Sequence, residues 1–329
     1  MSCNLTEAEE RKRVFKFYKQ FPDDASRLDE IEMSLSAFVK TKTCQSPDVA
    51  FFTSSFPFQY NLDEEFFIFR GAVSESVVQS LYEEALFAWP PADYAKSNLP
   101  NPISDAKTWL RGFVEPWKYR FLDQLRWVTL GYHYDWAKKV YPDNCCGSFP
   151  TKLAVFYKSV ALTVAEEIRH EDGLLTHPSC YTTFTPEASI VNYYRKKTTM
   201  GFHIDDTEVS KLAPLISVSL GRPAIYLLEA SGYIPGSLPH GNSEEVTRTI
   251  IPILLRHGDI MVSVPRLLSW ERASLDLPTS FFPNLLSKFL EMLGDACEPS
   301  SLRDNLESYI YSTRLNMNVR QVNEHSVVQ

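Results

Sequence analysis

Six short segments rich in β-branched and aromatic residues lie in the second half of the chain, and they limit the fold more than any other feature. Glycine and proline residues punctuate the chain between them. Several short strands separated in this way predict a closed or two-sheet β architecture. The segments are residues 190–194, 215–220, 224–228, 247–255, 259–264 and 309–319.

The first half of the chain has a different pattern, in which apolar residues recur at helical spacing. A capping box opens a helix at residues 6–20, and a short apolar strand at 66–69 comes before a helical stripe at 78–89. A second amphipathic stretch follows Pro150 and covers 153–168. Together the two halves predict an α+β chain.

Charge and composition limit the partners of the protein. The net charge is −8 over 329 residues, which argues against nucleic-acid binding through bulk positive charge, so any basic surface must be local. No apolar run reaches the roughly 18 residues that a membrane span needs. The six cysteines contain no C-x-x-C pair. We expect an intracellular, reduced monomer, with cytoplasm, nucleus and mitochondrion all open as compartments.

The sharpest local signal is the H-x-D motif formed by His203 and Asp205. Two residues that are two positions apart in an extended segment point to the same side. An imidazole and a carboxylate so arranged suit two corners of an octahedral metal site. Because H-x-D alone is a weak signal, a solvent-facing histidine beside an acidic turn is the alternative.

A second signal lies near residue 320, where polar and apolar residues alternate strictly. Period two puts Arg314, Asn316, Asn318 and Arg320 on one face of a strand. Two guanidinium groups and two amides are costly to bury unless they meet carboxylates, which arginine binds bidentately. The row therefore favours a dicarboxylate site over a charged edge strand.

The N-x-Y motif of Asn192 and Tyr194 comes shortly before the H-x-D motif. Period two again puts both side chains on one face of a strand. Their amide and phenol groups could complete the binding of the same dicarboxylate.

In this order, the three motifs resemble the AlkB family of Fe(II)- and 2-oxoglutarate-dependent dioxygenases. Longer strings are similar to the eukaryotic AlkB homologue-one subgroup, and the resemblance is weak over 22–65 and strong from 121 onward. The strings are FKFYKQ at 15–20, LRWVTLGYHYDW at 125–136, GFHID at 201–205, GDIM at 258–261 and VRQV at 319–322.

The resemblance implies a double-stranded β-helix, or jelly-roll, core with N-terminal helices packed around it. We accordingly expect an N-terminal helical and lid region over 1–120 and an AlkB-like dioxygenase core over 121–329. The polar stretch at 22–61 has weak periodicity and is interpreted as connecting structure.

The resemblance also implies a role for each motif. His203 and Asp205 would bind Fe(II), and Arg314 would bind the distal carboxylate of 2-oxoglutarate. Arg320 would lie at the metal end of this acid or steady Asp205. With O2, such a site removes N-methyl groups from bases of tRNA or DNA, with loss of formaldehyde. The residues that would assist Arg314 are Asn192, Tyr194 and Asn316.

The sequence departs from the family pattern at the third iron ligand. The family's distal histidine follows an Arg-Leu-Leu step, and the corresponding residue here is Trp270, whose indole cannot bind iron. Glu271 is one residue further on and would need a slip in strand register. His257 is a strand length away, and His240 could reach the site only by loop folding. Glu271 is the best of these substitutes, and the absence of any third ligand is at least as consistent with the sequence.

Basic and aromatic residues flank the motifs and are candidates for contacts to nucleic acid. Arg195 and Lys196 lie between N-x-Y and H-x-D, where they could meet phosphates. Tyr132 and Tyr134 could stack an extruded base. A solvated loop and core aromatic residues are the alternatives for these two pairs.

Two functions therefore follow from the sequence. The first is an Fe(II)- and 2-oxoglutarate-dependent demethylase of methylated nucleic acid. The second is a catalytically silent protein of the same fold that binds nucleic acid or 2-oxoglutarate, because Trp270 replaces the distal histidine.

Overall fold

In the computed structural model, antiparallel strands form two facing sheets, and helices cover the outer side of each. The architecture is α+β, as the sequence predicts. The structure describes residues 7–20, 25–101, 103, 105–169, 171, 175, 177–195, 198–205, 208–231, 238–240, 248–264, 268–273, 287, 289–292 and 299–324.

The helices within this part of the chain occur mainly before residue 185. None of them combines the length and the apolar character that a membrane span requires. Their bounds are α1 Glu7–Lys19, α2 Ala25–Phe38, α3 Glu75–Glu83 with a π-helical turn at Glu84–Ala88, α4 Ala106–Val114, α5 Phe121–Gln124, α6 Thr151–Glu167, α7 Pro178–Thr182 and α8 Pro299–Ser312.

The strands run through the whole chain and are numbered in sequence order. They are β1 Lys40–Gln45, β2 Ser55–Asn61, β3 Phe66–Phe69, β4 Lys96–Ser97, β5 Trp127–Gly131, β6 Ala188–Arg195, β7 Thr199–Ile204, β8 Leu215–Gly221, β9 Ala224–Ser231, β10 Leu238–His240, β11 Arg248–Leu255, β12 Ile260–Ser263, β13 Leu268–Ala273 and β14 Thr313–Arg320.

The order of the strands differs strongly from their order in the chain. Among the described residues, the larger sheet has nine strands in the order β1-β2-β3-β12-β8-β14-β6-β5-β4, and the smaller has five in the order β10-β11-β9-β13-β7. Consequently β14 lies between β8 and β6, and both of its edges are paired. The strand with the arginine row is therefore an inner strand.

Apolar alternation on the smaller sheet creates two separate packing layers. Leu228 and Ile251 face the larger sheet and pack against Ile68. Their neighbours Leu227 and Ile250 point the other way, into a cluster with residues of α1 and α2. This arrangement buries the sheet on both faces. It is favoured when apolar residues occupy both the odd and the even positions of a strand.

The same alternation divides β14. Leu315, Met317 and Val319 join the large apolar cluster that also contains residues of α3 and α6. The intervening polar positions, Arg314 to Arg320, therefore face the smaller sheet. This confirms the alternation predicted for residues 314–320.

Two local predictions were wrong. The stretch at 22–61 is not merely connecting structure, because it contains α2, β1 and β2. Similarly, the strand predicted over 309–319 begins only at residue 313, since Tyr309 belongs to α8 and packs edge-on against Phe113 at 5.4 Å. In both places, tertiary packing outweighs the local pattern.

The region 1–120 contributes β1–β4 to the same sheet as the strands that follow residue 121. The boundary at 120 and the lid role of this region stay predictions.

A buried carboxylate fixes the turn before β12. Asp259 is 2% exposed and accepts hydrogen bonds from Arg70 Nη1 at 2.7 Å, Gly71 N at 2.8 Å and Arg256 N at 2.9 Å. Gly258 precedes it with φ of +81°, a conformation that favours glycine. The GDIM string thus has a structural role, because it joins β12 to the end of β3.

We predict that Gly131→Ala strongly destabilises the protein. Gly131 has φ of +70°, and an added Cβ would overlap the carbonyl oxygen of Glu187. Positive φ costs an L-residue about 1–2 kcal/mol, and the backbone clash adds to that cost. Gly71→Ala is the matched control, because Gly71 has φ of +54° with no atom within 4 Å of an added Cβ. Urea denaturation should show the larger loss for Gly131→Ala, and equal losses would contradict the clash.

Candidate active site

The polar face of β14 forms one wall of a pocket between the two sheets. In the sheet register, Arg314 lies opposite Tyr194 of β6, and Asn316 lies opposite Asn192. The sequence motifs N-x-Y and R-x-N-x-N-x-R are thus side by side in space, although about 120 residues separate them.

Arg314 is completely buried on this wall. Its Nη2 donates to Ser219 Oγ at 3.0 Å, and its Cζ lies 5.5 Å from the centre of the Tyr194 ring. Asn316 Nδ2 donates to Ser217 Oγ at 2.6 Å. Two hydroxyls of β8 therefore orient the donors of β14, and a positive charge is held in the interior, where it attracts an anionic ligand.

His203 and Asp205 lie across from this wall, at the end of β7 and just beyond it. His203 Nδ1 is 2.9 Å from the carbonyl oxygen of Gly201, which can only accept a hydrogen bond, so the proton is on Nδ1 and the lone pair is on Nε2. The His203 Nε2 atom lies 3.8 Å from Asp205 Oδ2. Two ligand atoms that are each about 2.1 Å from one ion can be at most about 4.2 Å apart, so this pair fits a shared metal ion.

The two walls line a narrow pocket between the sheets. It contains donors, acceptors and apolar groups from both sheets. The residues that line it are Tyr194, Met200, His203, Asp205, Leu215, Ser217, Tyr226, Leu255, Met261, Asn316 and Asn318.

An ion-paired cluster lies beside Asp205. The sequence analysis expected Arg320 near Asp205 but missed the second carboxylate of this cluster, Glu208. Arg320 Nη1 donates to Asp205 Oδ1 at 3.3 Å and to Glu208 Oε1 at 2.7 Å. Burial alone would lower the pKa of Arg320, but Asp205, Tyr141 and Glu208 outweigh burial and raise this pKa well above its ordinary value. The guanidinium is therefore permanently charged.

Tyr141 also belongs to this region. Its hydroxyl is buried and has no hydrogen-bond partner within the described part of the chain. Burial raises the pKa of Tyr141 above its ordinary value, Arg320 opposes the rise, and Glu208 and Asp205 add to it. No sequence pattern links Tyr141 to the site, whereas Ser217 and Ser219 could have been found from their period-two spacing in β8.

Around Trp270 the structure describes the backbone of β13. Ser269 pairs with His203, and Glu271 pairs with Met200, so the register between β13 and β7 shifts between residues 269 and 271. On the other edge, Trp270 pairs with Leu227 and Glu271 with Tyr226. Directly opposite residues share a face. Position 271 therefore lies on the face of pocket-lining Tyr226, and position 270 lies on the outer face with Leu227.

The histidine alternatives lie elsewhere. His257 Nδ1 accepts a hydrogen bond from Gly221 N at 3.0 Å, and its ring stacks on Tyr82 with centroids 6.3 Å apart. His240 belongs to β10, at the far edge of the smaller sheet from β7. Among the residues whose side chains the structure describes, which leave out His240 and Glu271, no group of three or more His, Cys, Asp or Glu is arranged to hold a metal ion.

The candidate nucleic-acid contacts are only partly free to meet a ligand. The Cζ of Arg195 lies 4.5 Å from the centre of the Tyr309 ring, and Nη1 donates to Thr313 Oγ1 at 3.3 Å. Lys196 lies outside the described residues. Tyr132 is half-buried in the segment after β5.

Tyr134 belongs to an aromatic cluster that reaches the surface. Its ring centre is 4.7 Å from that of Trp136 and 5.1 Å from that of Tyr141. Trp136 in turn contacts Trp127 at 5.6 Å and is 49% exposed. A planar ring could stack on this cluster.

Comparison with known proteins gives one family and several relatives. The family model described as 2OG-Fe(II) oxygenase superfamily matches residues 114–320, more than half of the chain. "Nucleic acid dioxygenase ALKBH1" of Mus musculus is 32% identical over 61% of this chain and 47% of its own length. "tRNA demethylase abh1" of Schizosaccharomyces pombe is 29% identical over 60% of this chain and 53% of its own length. The chain thus spans about half the length of these curated relatives.

A solved structure described as "The structure of OsALKBH1" superposes on 80% of this chain and on 100% of its own chain. The TM-score is 0.48 and the sequence identity is 17%.

We predict that His203→Ala abolishes binding of a divalent metal. His203 Nε2 lies 3.8 Å from Asp205 Oδ2, a separation that one metal ion can bridge, so loss of this nitrogen should lower Mn(II) affinity by more than about 100-fold. His177→Ala is the control, since His177 is exposed and precedes α7. Isothermal titration with Mn(II) under anaerobic conditions measures both variants, and equal affinities would exclude His203 as a ligand.

Proposed function

Because the chain belongs to the 2OG-Fe(II) oxygenase superfamily, we propose that it is an Fe(II)- and 2-oxoglutarate-dependent dioxygenase that removes N-methyl groups from bases in nucleic acid. We assign its two facing sheets to a double-stranded β-helix core. tRNA is the favoured substrate and DNA the second candidate, in line with the names of the relatives. The single observation that carries the proposal is that His203 and Asp205 line a pocket whose opposite wall is the polar face of β14, the strand that also carries the buried Arg314.

The proposed ligand contacts follow from the chemistry of the walls. Arg314 binds the distal carboxylate of 2-oxoglutarate, because a guanidinium offers two parallel donors to a carboxylate. Ser219 and the Tyr194 ring already hold this guanidinium in the interior, so its side chain loses little conformational entropy when the carboxylate binds. Asn316, Tyr194 and Asn192 assist Arg314 from the same wall.

The proposed metal contacts are His203 Nε2 and Asp205 Oδ2. The carbonyl of Gly201 keeps the proton on Nδ1, so Nε2 stays available as a ligand. Bound Fe(II), with 2-oxoglutarate and O2, supplies the oxidation of the methyl group. The residues of this chain bind the dicarboxylate, hold the metal ligands in orientation and limit water in the pocket.

The nucleic-acid part of the proposal rests on local features. The net charge of −8 argues against a broad electrostatic surface, so recognition depends on the extruded base rather than on a long phosphate track. Tyr134, with Trp136 exposed beside it, supports stacking of that base, and Tyr132 is next to them in the chain. Arg195 and Lys196 stay predictions as phosphate contacts.

The second candidate function is a catalytically silent protein of the same family. One observation favours it: among the residues whose side chains the structure describes, which leave out Trp270 and Glu271, no third His, Cys, Asp or Glu joins His203 and Asp205. Such a protein would bind 2-oxoglutarate or nucleic acid without oxidising anything.

We predict that Arg314→Lys weakens 2-oxoglutarate binding by about tenfold or more, because a point charge replaces a two-donor contact and charged hydrogen bonds contribute about 1.5–3 kcal/mol. Arg222→Lys is the matched control, since Arg222 is also buried but follows β8 and donates to the Tyr311 carbonyl. Calorimetry with 2-oxoglutarate and Mn(II) distinguishes them. A variant at 314 that binds as tightly as the parent would make the assignment wrong.

A further prediction concerns the third metal ligand. Since position 271 shares the face of Tyr226, we expect Glu271→Ala to lower Mn(II) affinity and 2-oxoglutarate turnover by about tenfold or more. We expect Trp270→His to leave both nearly unchanged.

The opposite result, in which Trp270→His raises both quantities, would assign the third position to residue 270. If the parent and both variants bind Mn(II) and 2-oxoglutarate but none oxidises 2-oxoglutarate with Fe(II) in excess, the chain is catalytically silent.

A further inference from the structure

The two oxygens of Asp205 have different surroundings. Oδ1 accepts a hydrogen bond from Arg320 at 3.3 Å, whereas Oδ2 lies 3.8 Å from His203 Nε2. This division leaves one oxygen for a metal ion and ties the other to the protein. The carboxylate is therefore oriented before any ligand arrives.

Arg320 is held more tightly by another partner. The same Nη1 atom lies 2.7 Å from Glu208 Oε1, and the side chains of Arg320 and Glu208 are 6% and 3% exposed. The chain next to Glu208 is also fixed, because Val209 N and Ser210 N donate to the carbonyl of Val322 at 2.9 and 3.0 Å. Glu208 and Arg320 therefore belong to one rigid, buried unit.

An arginine without this partner would behave differently. A guanidinium that faces a single carboxylate tends to bind both of its oxygens in a bidentate pair. Such a pair would occupy Asp205 Oδ2 and would neutralise the charge that a divalent metal needs. Glu208 supplies a second carboxylate and the shorter contact, so Asp205 keeps one oxygen free and the summed charge of the Arg320, Asp205 and Glu208 side chains stays negative.

We propose that Glu208 is a positioning residue of the metal site, which acts on Asp205 through Arg320. The proposal rests on the proposed function, because it assumes that His203 and Asp205 bind the metal. Glu208 itself does not touch the metal, the dicarboxylate or the substrate. It acts on the orientation of Asp205 and on the summed charge beside the metal ligands.

The test compares Mn(II) affinity in the full chain by anaerobic calorimetry. Glu208→Gln keeps the shape of the side chain but removes its charge, so Mn(II) affinity should fall by about 10- to 100-fold, as is typical when a partner of a metal ligand is lost. Glu208→Asp keeps the charge and should recover part of this affinity. It is also the variant to measure if Glu208→Gln folds poorly.

Glu229→Gln is the matched control. Glu229 is equally buried and accepts two hydrogen bonds from Arg11, both at 3.0 Å, on the outer face of the smaller sheet. Its loss should reduce the melting temperature without changing Mn(II) affinity. A comparable loss of affinity in Glu229→Gln would mean that Glu208 acts only through stability, and the proposal would be overturned.

A second readout separates positioning from a merely structural role. In an Asp205→Ala background, Glu208→Gln should change the residual Mn(II) affinity by less than twofold, because the residue it acts on is absent. An undiminished effect there would overturn the proposal. If the parent binds Mn(II) and Glu208→Gln binds it equally well, the inference fails while the proposed function stands. If the parent binds no Mn(II), both fail.

Discussion

The structure around the pocket depends on the cost of burying two guanidinium groups on one strand. A buried charge without a partner costs several kcal/mol, so each arginine of β14 constrains the elements near it. Arg320 requires Glu208 and Asp205, and this requirement ties the end of β7 to the end of β14. Arg314 requires the hydroxyl of Ser219 and the ring of Tyr194, which link β8 and β6 to the same strand. One strand thereby positions both halves of the candidate site.

The residues with simple periodicity were predictable from the sequence. The period-two alternation identified the polar face of β14. The same alternation put Asn192 and Tyr194 on one face of β6. His203 and Asp205 were found because a two-residue spacing puts both on one side. In each case the information lies within a few neighbouring residues, and the resemblance to a family supplied the order of the motifs.

What the sequence did not reveal depends on distant pairing. The sequence analysis gave Glu208 no role, yet it is 3% exposed because Arg320 reaches it from 112 residues away. Tyr141 approaches the same cluster from the segment that follows β5. Likewise β1 and β2 have weak local patterns and are strands because β1 pairs with β2 and β2 pairs with β3. The register shift opposite His203 is also a property of the pairing, not of either strand alone.

The central place of β14 has a consequence for the order of folding. β6 and β8 end before residue 222, whereas the strand that fills the space between them starts at residue 313. During synthesis these two strands are complete about 90 residues before their shared neighbour leaves the ribosome. Each then has an unpaired backbone edge, which can associate with other chains. A nascent chain of this fold therefore depends on protection of these edges until β14 inserts, and insertion closes the large sheet and assembles the pocket in the same step.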